Sequence, residues 1–181
     1  MSYKECKISM EQLLTVCREA LVEHNHETTK PLDIVLFKEA VEHISAISRV
    51  LSMPRGHMML VGVKSSGRKS LARLSMHICS MEPFEIQITR TYGPTEWRDD
   101  LKSLMKQCGA SNSPTTFMIS DAQIVNNFQL EDISNLLITG EIPNLFERDE
   151  IEKITADMIQ AEIPTDEDPW QLFTSRMKAN L

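Results

Sequence analysis

The chain reads Gly62-Val63-Lys64-Ser65-Ser66-Gly67-Arg68-Lys69-Ser70 between a short apolar run and a helical pattern. The run before it, residues 57–62, is apolar and bounded by glycines, which predicts a strand buried on both faces. After it, apolar residues recur at helical spacing from Leu71 to Met81. Glycines allow the backbone to curl so that successive N–H groups face one anion, and the N-terminus of a helix adds partial positive charge. A strand, a glycine loop and a helix in this order predict a phosphate-binding loop.

The loop departs from the usual G-x-x-x-x-G-K-[ST] pattern at its end. Arg68 stands at the lysine position and Lys69 at the hydroxyl position, so Ser70 is the nearest hydroxyl for Mg²⁺. Arg68 can neutralise phosphate, but its planar fork has a different shape and reach from lysine. We predict that residues 62–70 form the phosphate loop of a nucleotide-binding site. A glycine- and serine-rich turn without a ligand remains the alternative.

A carboxylate follows another apolar run, residues 115–121, which read TTFMISD. In phosphate-loop proteins an Asp at a strand end holds Mg²⁺, so Asp121 and Ser70 are the predicted metal residues. Ala122 and Gln123 come next, and neither can accept a proton from water at neutral pH. We therefore expect little or no hydrolysis. The alternative is that Asp121 only caps a loop.

Three predicted strands, 57–62, 82–91 and 115–121, alternate with predicted helices. This order predicts an α/β domain with a mainly parallel sheet flanked by helices. Three strands are few for the class, so we expect an incomplete domain. We predict an N-terminal helix and linker over 1–30 and a nucleotide-binding domain over 31–181. One helix is predicted over residues 10–23, and a second one begins after a cap at Asp33 and ends at Leu51. Further helices are predicted over residues 130–139, where Gly140 ends the helix, over 150–160 and over 170–181. Loops are predicted at residues 24–31 and 163–169.

Composition limits the classes of partner. The net charge of -7 argues against nucleic acid and against anionic membranes, because both require a surplus of Lys and Arg. The most apolar stretch, residues 58–63, is too short to cross a bilayer. The four cysteines are far apart and form no C-x-x-C pair, which favours reduced thiols. We therefore expect a soluble cytoplasmic chain.

Four segments carry a family resemblance. They read LDIVLFKEAVEHISAISRVL (32–51), MPRGHMMLVGVKSSGRKSLARLS (53–75), FMISDAQI (117–124) and EDISNLLITGEIPNLF (131–146). In this order they resemble the fourth AAA module of dynein heavy chains, particularly the axonemal ones. The resemblance implies an AAA+ fold of the P-loop NTPase class, ending here before the helical lid.

The same resemblance implies a site and its partners. By match, residues 62–70 are the phosphate loop, Asp121 is the acid on the metal side, and Val35 and Leu36 lie in the segment that contacts adenine. It implies ATP or ADP as ligand, with Mg²⁺ possible, and neighbouring AAA modules or dynein subunits as partners. Microtubules are implied only through a complete heavy chain, in the cytoskeleton and the axoneme of cilia.

Three functions remain open from the sequence. The first is a nucleotide-binding module of a minus-end-directed motor with little or no hydrolysis of its own. The second is a competent ATPase whose missing base comes from elsewhere. The third is a non-enzymatic interaction or scaffold protein derived from dynein, without bound nucleotide.

Overall fold

The computed structural model describes residues 8–160 and 168–181. The chain divides into two compact units, the first ending at Ser80 and the second beginning at Met81. Each unit has its own buried apolar core.

Three helices form the first unit: α1 (Met10–Glu27), α2 (Lys38–Leu51) and α3 (Arg68–Ile78). Helix α1 begins with a capping box, in which Ser9 Oγ accepts from the main-chain N–H of Gln12 at 3.3 Å while the Gln12 side chain accepts from Ser9 N at 3.0 Å. The predicted helix ended at residue 23, with a linker from 24. The structure continues the helix for one more turn, so that part of the linker prediction is wrong.

The extra turn of α1 places Asn25 beside the extended segment that follows. Its carboxamide donates to the carbonyl of Leu32 at 3.0 Å and accepts from the N–H of Leu32 at 2.7 Å. Leu32 is thereby held in the core of the first unit, whose buried members are Cys17, Leu32, Val41, Ile44 and Leu74. The polar residues at the end of α1 therefore belong to the folded unit.

Asp33 does not cap α2. The N-cap is Phe37, which makes no side-chain cap hydrogen bond, and the helix begins at Lys38. Ile34 and Leu36 pack against the core at alternate positions, a spacing that only an extended chain provides. Because this extended segment packs against the core, the helix begins later in the sequence than the capping residue indicated.

The predicted strand at residues 57–62 is wrong. Within the ranges that the structure describes, strands occur only at β1 (Glu82–Phe84) and β2 (Thr115–Phe117). The residues expected to be buried are exposed, Met59 by 86% and Val61 by 85%. A strand requires a neighbouring main chain for its hydrogen bonds. The described part of the first unit offers helices and no strand to pair with.

The second unit holds a small parallel sheet and four α-helices in its described residues. Strands β1 and β2 pair in parallel, with Glu82 opposite Thr115 and Phe84 opposite Phe117. This mixture of helices with a parallel sheet confirms the α/β class. Both strands are much shorter than the predicted strands 82–91 and 115–121.

Helices surround the core of the second unit: α4 (Pro94–Gly109), α5 (Asn127–Thr139), α6 (Arg148–Gln160) and α7 (Pro169–Asn180). Helix α5 ends where predicted, at Gly140, which adopts a left-handed φ of 74°.

The rings of Trp170 and Phe173 stack at 5.2 Å. Most of the predicted loop at 163–169 lies outside the described residues. In this unit the largest fully buried apolar side chains are Trp97, Leu101, Leu104, Met105, Met158, Phe173 and Met177.

Two further predictions, on membrane-spanning segments and on the cysteines, can be compared with the described residues. None of their helices is long and apolar enough to cross a bilayer. Cys17, Cys79 and Cys108 are free thiols.

Candidate phosphate-binding loop

The loop of residues 62–70 turns sharply before α3. Ser66 N donates to the carbonyl of Val63 at 3.3 Å, and Ser65 inside this turn has a left-handed φ of 63°. Gly67 has a φ of 78° and is the N-cap of α3. Gly67 tolerates this conformation without a Cβ penalty, whereas Ser65 adopts it at some cost. The two left-handed residues bring the chain around so that α3 begins at Arg68.

The start of α3 is electropositive and has no internal cap. Gly67 has no side chain to offer its N–H groups, and the first turn contains no acidic residue. The first N–H groups of a helix have no partner within the helix, and they carry the positive end of its dipole. Lys64 and Lys69 add exposed cationic side chains. This arrangement favours an anion.

Arg68, in the position of the usual lysine, turns back over the loop. Its Nη1 donates to the carbonyl of Leu60 at 3.4 Å, and its Nη2 donates to the carbonyl of Val63 at 3.3 Å. The guanidinium therefore contacts main-chain acceptors in this structure. Val63 is part of the predicted phosphate loop and Leu60 is not, and the sequence assigned neither carbonyl to Arg68, since the signal was only the presence of a planar, two-pronged donor.

Space around the two glycines differs. A Cβ on Gly67 would meet no heavy atom within 4 Å. A Cβ on Gly62 would lie 3.1 Å from Ser66 Oγ and 3.3 Å from Arg68 Cδ. The position of a side chain at Gly67 is therefore open, whereas the side chains of Ser66 and Arg68 lie close to Gly62. The uncapped start of α3, together with Lys64 and Lys69, provides groups of the kind that bind a phosphate.

The remaining first-unit candidates are placed as follows. Ser70 lies half-buried in the first turn of α3. Val35 is 78% exposed, whereas Leu36 packs partly against the core of the first unit. Val35 is thus free to contact a flat apolar ligand, and Leu36 contributes to stability. Their predicted contact with adenine stays a prediction.

Asp121 lies in the second unit, as the first residue of a short 3-10 helix (Asp121–Gln123). Its side chain is exposed, as is Ala122. The Gln123 carboxamide accepts from Ser120 N at 2.7 Å and Ser120 Oγ at 2.8 Å, and it donates to Ile86 O at 2.7 Å. Gln123 therefore holds the chain after β2 in place, a role that the sequence did not reveal. Its hydrogen bonds occupy the groups that would orient water.

Mg²⁺ would take the Ser70 hydroxyl and the Asp121 carboxylate by the sequence prediction, and both are oxygen donors of the kind it prefers. The two residues belong to different units. In the described part of the chain, no group of three or more His, Cys, Asp or Glu side chains converges as a metal site. The metal assignment stays a prediction.

Comparisons with known proteins identify relatives. The family described as the P-loop containing dynein motor region D4 matches residues 32–181. The chain is 47% identical over 148 residues to human dynein axonemal heavy chain 2, covering 81% of this chain and 3% of that protein. It is 40% identical over 178 residues to human dynein axonemal heavy chain 1, covering 96% of this chain and 4% of that protein. It is 46% identical over 127 residues to the 1-beta heavy chain of the flagellar inner arm I1 complex of Chlamydomonas reinhardtii, covering 70% of this chain and 3% of that protein.

Proposed function

The chain belongs to the family of the dynein motor region D4, and on this basis we propose that it binds ATP or ADP as a module with little or no hydrolysis of its own. The observation that carries the proposal is the uncapped start of α3 behind a left-handed Gly67, with space beside that glycine. Exposed N–H groups at the start of a helix bind phosphate through hydrogen bonds and the helix dipole.

Different residues have different roles in the proposed nucleotide binding. Main-chain N–H groups from Gly67 onward bind the phosphate oxygens, and Lys64 and Lys69 compensate their charge. Val35 offers an exposed apolar surface for the base. Ser70 carries an oxygen donor for Mg²⁺ in the first unit and Asp121 carries one in the second, and Mg²⁺ would reduce the negative charge of the phosphates.

Weak hydrolysis follows from the residues after Asp121. Ala122 has no functional group, and the Gln123 carboxamide is engaged by Ser120 and the carbonyl of Ile86. General-base catalysis requires a group that accepts a proton from the attacking water near neutral pH. Neither Ala122 nor Gln123 supplies such a proton acceptor, so the module holds nucleotide as a structural ligand.

The biological setting follows from the relatives, of which the chain spans only 3 to 4%. We propose that the module works beside neighbouring AAA modules or other dynein subunits in an axonemal heavy chain. Its location is then the cytoskeleton of cilia. Contact with microtubules, and movement along them, occur only through a complete heavy chain.

Thermal unfolding with Mg²⁺·ADP tests the binding. A ligand that binds only the native state raises stability, by about 2.7 kcal/mol at 100 times its Kd. We expect the melting temperature of the wild type to rise with ADP, and the paired change Lys64→Ala with Lys69→Ala to reduce that rise. Lys30→Ala with Lys38→Ala is the control, since it removes two exposed cations of the same unit. No rise in the wild type would favour the non-enzymatic scaffold.

Phosphate release at steady state tests the second part. We expect turnover of ATP near the uncatalysed background for both the wild type and Asp121→Asn. Wild-type turnover that Asp121→Asn abolishes would instead identify a competent ATPase with its base supplied from elsewhere.

A further inference from the structure

Arg68 joins two main-chain carbonyls on opposite sides of Gly62. Its two terminal nitrogens donate to Leu60 O at 3.4 Å and to Val63 O at 3.3 Å. Leu60 precedes Gly62 by two residues and Val63 follows it directly, so one guanidinium closes a short arc of main chain. The fork geometry of arginine permits this double contact, which a single ammonium group does not match.

The stem of the same side chain lies against Gly62. A Cβ at this position would come 3.3 Å from Arg68 Cδ and 3.6 Å from Arg68 Nε. The 3.3 Å distance is tighter than most Cβ contacts and the 3.6 Å distance is an ordinary one, so the absence of a side chain at Gly62 gives the Arg68 stem room to lie there. The two hydrogen bonds and the approach to Gly62 therefore agree that Arg68 lies across Gly62, toward the carbonyls of Leu60 and Val63.

We propose that Arg68 is a latch of this loop, closed on the two carbonyls in the free chain and released when a phosphate binds. The inference rests on the proposed function, because a phosphate is the ligand that competes for the guanidinium. The N–H donors that Nη1 and Nη2 give to the two carbonyls are not available to an anion until those hydrogen bonds open. A phosphate oxygen is the stronger acceptor because it is itself charged, so that both partners of the hydrogen bond are then ionised.

If Arg68 acts as a latch, its removal changes the binding rates differently from the removal of an arginine that only binds phosphate. If the latch must open before the anion enters, removing it raises the rate of association. Removing it also takes away a cation, so dissociation becomes faster as well. An arginine that only attracts phosphate would give the opposite result for association, since its loss lowers the attraction.

Amide exchange of the free chain gives the first measurement. Loss of two exposed hydrogen bonds corresponds to a roughly 2- to 10-fold faster exchange at residues 60–67 in Arg68→Ala. Arg68→Lys keeps the charge and should exchange faster than the wild type as well, because one ammonium does not hold both carbonyls. Arg18→Ala, which removes an exposed arginine of α1, is the control and should leave this segment unchanged. Equal exchange in the wild type and Arg68→Ala overturns the latch.

Stopped-flow binding of a fluorescent ADP analogue with Mg²⁺ gives the second measurement. We expect association and dissociation rates both to rise about 2- to 10-fold in Arg68→Ala, on the same estimate of two lost hydrogen bonds. Unchanged or slower association in that variant overturns the release step. If the wild type binds no analogue, the proposed function fails, and the exchange experiment still decides whether Arg68 holds the loop.

Discussion

The indole Nε1 of Trp97 donates a hydrogen bond to the carboxylate of Asp132 at 2.8 Å. Trp97 is fully buried in α4, and Asp132 lies half-buried in α5. A buried indole N–H without an acceptor is costly, so this bond ties the two helices of the second unit at a defined position.

Asp132→Ala should destabilise the second unit by about 1–3 kcal/mol, because it leaves the Trp97 N–H buried without an acceptor. Asp132→Asn keeps a carbonyl oxygen and should cost less. Urea unfolding monitored by tryptophan fluorescence measures both. Asp99→Ala, at an exposed position of α4, is the control. A loss for Asp132→Ala no larger than that of the control would show that the bond contributes nothing.

Asn25→Ala should destabilise the first unit by about 1–3 kcal/mol, since it leaves both main-chain groups of buried Leu32 without their partner. Asn25→Asp retains the acceptor and loses the donor, so an intermediate loss is expected. His26→Ala changes the next, exposed residue of α1 and serves as control. Chemical denaturation of the three variants measures the differences. Identical curves for Asn25→Ala and the wild type would contradict this role.

Gly109→Ala should disrupt the contact between α4 and α7. A Cβ on Gly109 would lie 2.5 Å from Phe173 Cε2, and Phe173 is buried and cannot swing away. We expect a loss of about 1–3 kcal/mol in thermal unfolding, typical of overpacking. The double change Gly109→Ala with Phe173→Leu should cost less than the sum of the single changes.

The control for Gly109 is Gly93→Ala at the other end of α4. There the added Cβ would lie 3.4 Å from the flexible Glu96 side chain, an ordinary contact. Equal losses at the two glycines would indicate a general effect of alanine, without a role for Phe173.

Gly67→Val should cost about 1–2 kcal/mol in the free chain, because a β-branched residue is forced into a left-handed φ of 78°. A Cβ at Gly67 would meet no neighbouring atom, so a clash with another residue is excluded as the cause. Gly67→Asn is the matched variant, since Asn adopts this conformation more readily. Thermal unfolding compares them. A larger loss for Asn than for Val would contradict the conformational explanation.

The pKa of Glu150 predicts a stability change with pH. A hydrogen bond from Lys102 lowers this pKa below its ordinary 4.5, with a further contribution from the N–H of Glu147. Because the folded pKa is lowered, the stabilisation is present above pH 4.5 and is lost as the pH falls through the lowered value. Both side chains remain partly exposed, so it amounts to no more than about 1 kcal/mol.

Unfolding of wild type and Glu150→Gln between pH 3 and 7, roughly spanning the titration, measures this change. The difference in stability should be present at neutral pH and narrow below about pH 4.5. A difference that is constant over this range would show that ionisation of Glu150 is not involved.

The sequence by itself determined the features that depend on local chemistry. Helix α5 ends at Gly140 because glycine accepts the left-handed φ of a C-cap, and helical periodicity places α6 correctly. The glycine pattern of residues 62–70 correctly placed a turn at the start of α3. The order of the family segments was sufficient to predict the dynein D4 region.

Only the tertiary structure decided features that need a distant partner. Residues 57–62 have the composition of a buried strand, but a strand forms only against another main chain, and the described first unit has none to offer. The same holds for Gln123, whose carboxamide is used by Ser120 and Ile86. Arg68 has the charge that the motif requires, but the carbonyls of Leu60 and Val63 determine where that charge lies. Composition and spacing define which contacts a side chain is able to make, and three-dimensional proximity selects among them.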